Sequence, residues 1–211
     1  MWRLSGLLLI SSLILLGCSK SDKSTQSKPP AEPNYFPTSV GSHWIYEDEE
    51  GDSMLIESVA NGTYRSLPVT IMKKTYQPPL DDNPVLYDTL FVWETKNQVT
   101  IFEKEVWMYL DSTIYHIFED SVGQTILNYP LEVGKKWSYY DNEDWEIHVE
   151  VLSKETVSTP AGIFEDCYRI FYYWELDRDR HYRWFAPGVG MVKIYDPWNT
   201  YTYTLKDYKI K

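Results

Sequence analysis

The sequence predicts an all-β protein: one antiparallel sheet, curled into a half-barrel or folded as a two-layer sandwich, and built from two related halves. Three observations carry this. Trp145, Ile147, Val149 and Val151 alternate with Glu146, His148 and Glu150, and Tyr201, Tyr203 and Leu205 alternate with Thr202 and Thr204. That period of two marks strands with one face buried. The chain is also rich in rings that favour strands, with 18 Tyr and 9 Trp among 211 residues. Finally, residues 36–46 recur at 129–139: Pro37, Val40, Gly41, Trp44 and Tyr46 return as Pro130, Val133, Gly134, Trp137 and Tyr139. The constant offset and the size of the unit read as two halves, about 34–124 and 125–211, and not as a solenoid of many short copies.

Each copy of the repeat leads into the first strand of its half. Proline sets the approach without donating a hydrogen bond, and glycine supplies a turn conformation that other residues resist. Trp and Tyr, two apart, then share one face of the strand. Acidic turns follow at Glu47–Asp52 and at Asp141–Asp144. Further strands are expected at Leu86–Trp93, Val99–Glu103, Val106–Leu110 and Ile114–Phe118, with breakers at Asn61-Gly62, Gln77–Pro79, Asp81–Pro84, Pro160–Gly162 and Pro187-Gly188. About twelve strands result. A sheet that wide has to curl or split into layers.

The N-terminus has secretory-signal anatomy. Arg3 precedes an apolar run, Leu7–Leu16, that ends in Leu15-Leu16-Gly17-Cys18. The run is shorter than the roughly 20 residues a membrane-spanning helix needs. Leu-Leu-Gly-Cys resembles the bacterial lipobox. The resemblance implies a signal peptide over 1–17, cleavage after Gly17 and acylation of the Cys18 thiol, so that the membrane is a partner through the lipid alone. Residues 19–33 hold no large apolar side chain and read as a disordered tether, which with Cys18 gives a lipidated segment over 18–33. As a coil, 15 such residues reach about 20–25 Å. By resemblance to sorted lipoproteins, Ser19 after the lipidated position permits the outer membrane in a Gram-negative cell. In other cells the outer face of the cytoplasmic membrane is expected. The β domain is then 34–211.

The formal charge of −11, or −12 once Arg3 is removed, excludes nucleic acid as a partner, because that affinity comes from cationic contacts to phosphate. With Cys18 lipidated, Cys167 has no disulfide partner. It sits in the apolar stretch Cys167–Trp174, where a small buried hydrophobe is its ordinary role. The four histidines, at 43, 116, 148 and 181, share no metal-ligand spacing. His148 belongs on a solvated strand face, and His181 in a charged hairpin tip, Asp177–His181. The acidic turns do not follow the calcium-loop pattern. No nucleophile elbow, phosphate loop or zinc-protease motif is present. The sequence therefore assigns no catalytic residue, metal or cofactor. Hydrolysis by a carboxylate pair is kept as the remote alternative.

Two later segments carry a resemblance. Pro160-Ala-Gly-Ile-Phe-Glu-Asp-Cys167 and Trp184-Phe-Ala-Pro-Gly-Val-Gly190 are similar to the Pro-Ala-Gly-x-Phe-x-x-Cys and Trp-[Tyr/Phe]-Ala-Pro-Gly-Val-Gly signatures of a broad set of bacterial secreted proteins and lipoproteins. With the Pro-x-x-x-Gly-x-x-Trp element the resemblance covers most of 36–196 and is sharp only in these segments, mostly in the second half; it implies a β-rich extracytoplasmic module and brings no catalytic residues. The expected function is a lipid-anchored, non-enzymatic binding or envelope-assembly module. A concave aromatic face would hold a hydrophobic ligand, with Trp44, Trp137, Trp174 and Trp184 as candidate lining residues. The alternative is an outer aromatic patch that docks an envelope protein or a glycan.

Overall fold

A computed structural model describes residues 33–77, 85–108, 114–119, 122–141, 145–174, 180–196 and 201–211. Cys18 and the expected signal and tether lie outside them, save Pro33. Thirteen strands follow in order: β1 (His43–Glu47), β2 (Ser53–Tyr64), β3 (Leu67–Gln77), β4 (Val85–Glu94), β5 (Gln98–Met108), β6 (Ile114–Glu119), β7 (Gln124–Asn128), β8 (Lys136–Asp141), β9 (Trp145–Thr159), β10 (Gly162–Trp174), β11 (His181–Ala186), β12 (Gly190–Asp196) and β13 (Tyr201–Lys209). All belong to one antiparallel sheet, ordered β6-β5-β4-β3-β2-β1-β13-β12-β11-β10-β9-β8. Each half is thus a six-stranded meander, β1–β6 and β8–β13, and the two join where β1 pairs with β13. The strands and the buried core lie within one compact unit, Glu32–Lys211.

The sheet curls until its ends meet. β5 offers its outer edge to two strands in turn, Gln98–Ile101 to β7 and Lys104–Met108 to β6. At the far end, Trp137 of β8 donates its indole N–H to the Thr125 carbonyl of β7 at 2.7 Å. Tyr172 of β10 donates its hydroxyl to the Ile126 carbonyl at 2.8 Å. Side-chain bonds, not a backbone ladder, cross this seam. Of the expected architectures the curled sheet is realised, as a nearly closed barrel.

The repeated segments have the same local geometry. Gly41 and Gly134 both have φ +89°. Gly41 N–H donates to Ser58 O and Gly134 N–H to Val151 O, each at 2.8 Å. The return bonds, Ser58 N–H to Ser42 O at 2.9 Å and Val151 N–H to Lys135 O at 3.0 Å, match in the same way. Every partner is displaced by the sequence offset of the repeat. Val40 and Val133 are exposed, so what recurs is the turn and the aromatic pair, not an apolar contact.

Alternation decides which side chains face inward. Met54 and Ile56 of β2, Met72 of β3, Leu90 and Val92 of β4, and Val99 and Ile101 of β5 are buried. So are Ile147, Val149 and Val151 of β9 and Ile170 and Tyr172 of β10. Two expectations change. Asn61-Gly62 does not end a strand: Gly62 pairs with Val69 inside the β2–β3 ladder, and the turn falls at Arg65 and Ser66, both with positive φ. The charged run Glu103-Lys104-Glu105 does not divide two strands either. β5 continues through it, because Glu103 has a cationic partner inside the barrel.

Candidate functional site

The inside of the barrel holds a partly open lumen of about 250 Å³. One part is apolar, formed by Phe36, Trp44, Met54, Met72, Leu90 and Ile126 among others. Trp44 is anchored by its indole N–H, which donates to the Val189 carbonyl at 2.7 Å, and Tyr46 donates to Met191 O at 2.8 Å. Gly190 (φ +98°) lets the chain pass close by: a Cβ there would stand 3.4 Å from Pro37 and 3.6 Å from the Trp44 indole nitrogen.

The other part is charged: Lys74 and Glu103 line it, Asp88 lies buried behind them, and all three come from strand positions whose neighbours are apolar. Lys74 follows Met72 on the inner face of β3, Asp88 precedes Leu90 on β4, and Glu103 follows Ile101 on β5. Lys74 and Asp88 are direct cross-strand partners. The Lys74 ammonium lies 2.6 Å from Asp88 Oδ2 and 2.5 Å from Glu103 Oε1, and the Asp88 side chain is 2% exposed. Burial alone would push the Lys74 pKa down; the Glu103 and Asp88 carboxylates, with Tyr76, overcome this and hold it well above the usual lysine range. Burial would likewise raise Glu103, but the Lys74 ammonium and the more distant Arg183 guanidinium keep it below the usual carboxylate range. A buried charge with both partners in place is tolerated, while one stripped of its partner is not.

Arg183 of β11 completes this wall. Its guanidinium lies 4.8 Å from the centre of the Tyr172 ring, and Gln124 and Asp196 also line the lumen. His181 is not in a hairpin tip. It opens β11, with Nδ1 3.5 Å from Asp196 Oδ1 and its ring against Trp174 at 4.9 Å. Arg180 and His181 read as loop because of the surrounding charges, whereas strand pairing draws His181 to Tyr172.

The four tryptophans separate. Trp44 lines the lumen. Trp137 is committed to the seam, and Trp174 packs on His181; neither is among the lining residues. Trp184 belongs to a different cluster. A register shift between Trp184 and Phe185 sends Phe185 into the lumen. Trp184 instead donates to Glu155 Oε1 at 2.6 Å, with Arg169 and Lys193 against its ring at 5.2 and 5.0 Å. Tyr182, Phe171 and Tyr173 continue this stack of rings.

Other reactive groups are spent structurally. Cys167 is fully buried; its thiol donates to Phe164 O at 3.3 Å, and burial raises its pKa to about 11. Asp48 Oδ1 accepts from the backbone N–H of Glu50 and Asp52, both at 2.9 Å, and so shapes the first acidic turn. Among the described residues no three His, Cys, Asp or Glu side chains are grouped to hold a metal ion.

No protein-family model and no curated protein matches this chain. Two solved structures are similar to it: a candidate lipoprotein from Parabacteroides distasonis and a candidate exported protein with a YmcC-like fold from Bacteroides fragilis. They share 19% and 16% identity with it, at TM-scores of 0.49 and 0.37, and each comparison covers 84% of this chain and 99% of the other. At these values nothing about function passes from them to this protein.

Proposed function

We propose that this protein is a lipid-anchored, non-enzymatic binding module of the bacterial envelope, which holds a small, largely apolar ligand inside its barrel. The observation that carries this reading is the lumen itself. An interior of about 250 Å³ walled by aromatic and aliphatic side chains is close to the lower end of small-molecule sites, roughly 300–1,000 Å³. A core built only for stability closes such space, since empty volume forfeits dispersion contacts. The Leu-Leu-Gly-Cys18 motif supports the anchor.

Native mass spectrometry of the unit 32–211, cleaved from the anchored protein within the tether and purified without detergent, tests this. The reading expects a mass excess of a small molecule that disappears on denaturation. A protein that is empty and also fails to take up small apolar compounds such as octanol would refute it. The stacked rings of Tyr182 and Phe171 with Arg169, laid over the buried Trp184, favour a second reading, a docking face on the barrel exterior. That reading expects an empty lumen and a partner lost on replacing Arg169.

A further inference from the structure

The lumen's polar groups are unequally engaged, and the inequality indicates the ligand's head group. Asp88 and Glu103 share the Lys74 ammonium. Asp196 faces His181. The Tyr172 hydroxyl is committed to Ile126 O. Arg183 differs: among the described residues its guanidinium makes no hydrogen bond and no ion pair, and it rests on the face of the Tyr172 ring. A guanidinium carries five N–H donors in a fixed fork that matches a carboxylate. Lodged in the wall of a partly open space that is apolar on one side, with its donors unspent, it is a ready partner for an anion.

From this we infer that the ligand is a small amphipathic carboxylate, its head taken by Arg183 and its tail lying among Trp44, Met72, Leu90 and Ile126. The inference rests on the lumen being the ligand site. An anion is favoured over a cation because the lumen carboxylates already face Lys74 and His181, so an incoming ammonium would have to share them. Lys74 and Arg183 balance two of the three carboxylates, Asp88, Glu103 and Asp196, and the third is met by His181 when that ring is protonated, so the pocket is not closed to negative charge. The available space equals that of about eight waters at ~30 Å³ each, which sets the scale at a chain of roughly eight carbons. The Tyr172 ring holds the guanidinium in place from one side, leaving its edge for a two-pronged bond.

Isothermal titration of the unit 32–211 with octanoate, octan-1-ol and octylamine tests the inference, with Arg183→Met and Arg183→Lys as variants. Octanoate is expected to bind about tenfold or more tighter than octanol, the low end of what a charge-assisted hydrogen bond contributes. Arg183→Met is expected to bring octanoate down to the level of octanol and leave octanol unchanged, with Arg183→Lys between them. Equal binding of octanoate and octanol to the wild type overturns the carboxylate assignment and leaves the lumen reading intact. Tightest binding of octylamine overturns it in favour of Glu103 and Asp196 as the recognition groups. If none of the three binds, the lumen reading fails and the inference with it. The wild-type series decides even if Arg183→Met does not fold.

Discussion

Replacing Lys74 by methionine keeps most of its volume and removes the one cation that Asp88 and Glu103 share. Both carboxylates then stay in the barrel wall, Asp88 almost wholly out of water, without the ammonium that offsets their desolvation. Breaking a buried pair from one side costs about 3–5 kcal/mol, most of it the penalty on the charge left behind. At a urea slope of about 2 kcal/mol per molar, that shifts the unfolding midpoint down by roughly 2 M. The pH dependence separates this cause from lost packing. In the wild type Glu103 is held below its ordinary range, so its contribution is present above about pH 4.5 and is lost as the pH falls through the folded value. In Lys74→Met burial outweighs the distant Arg183 guanidinium, the two carboxylates rise, and the folded state prefers them protonated. The deficit should therefore be greatest near pH 7.5 and shrink towards pH 4.5, where the two stability curves converge. Urea unfolding followed by tryptophan fluorescence across this range is the assay. The triple variant Lys74→Met, Asp88→Leu, Glu103→Met should recover most of the loss, since a buried ion cluster replaced whole by apolar groups is often neutral. A deficit below about 1 kcal/mol, or one equal at both pH values, would refute the reasoning.

Three further outcomes are expected. Gly41→Ala and Gly134→Ala should each cost about 1–2 kcal/mol, because both sites hold φ +89° and the added methyl meets open space at Gly134 and only the flexible Lys211 side chain at Gly41; thermal unfolding measures this, and a neutral effect at both would show that the turn adapts. Cys167 should resist thiol reagents at pH 8 in the native protein and react fully in urea, because burial holds its thiol at about 11; native labelling within minutes would place it at an accessible surface. Globomycin treatment, or Cys18→Ser, should leave a larger, unprocessed chain that changes its membrane fractionation; unchanged size and fractionation would remove the anchor from the account.

Much of the fold was legible because alternation and punctuation are local signals. The Ile147, Val149, Val151 face is buried as its period implies, and the two Pro-x-x-Val-Gly-x-x-Trp segments make the same turn with the same backbone bonds. The lumen was only half legible. Lys74, Asp88 and Glu103 each sit at an inward position next to buried apolar residues, a signal visible in each strand taken singly. A charge near a strand end reads as solvated, however, until the pairing register sets Lys74 opposite Asp88 and Leu90 opposite Glu103. Register over such distances is a property of the closed sheet. The tryptophans illustrate the same limit: Trp44 reaches the lumen, while the shift between Trp184 and Phe185 gives that place to Phe185 and turns Trp184 towards Glu155. Asn61-Gly62 misleads for a related reason, since the dipeptide is a strong turn signal that the long β2–β3 ladder overrides.

Locating a bound tail directly tests the central claim, that the inside of the barrel is the binding site. Crystals of the unit 32–211 soaked in 8-bromo-octan-1-ol, whose neutral head makes no demand on Arg183, give the bromine position by anomalous scattering. A bromine peak among Trp44, Met72, Leu90 and Ile126 is the expected result. Bromine found only beside Trp184, Tyr182 and Phe171 on the stacked rings, with the interior empty, would contradict the account.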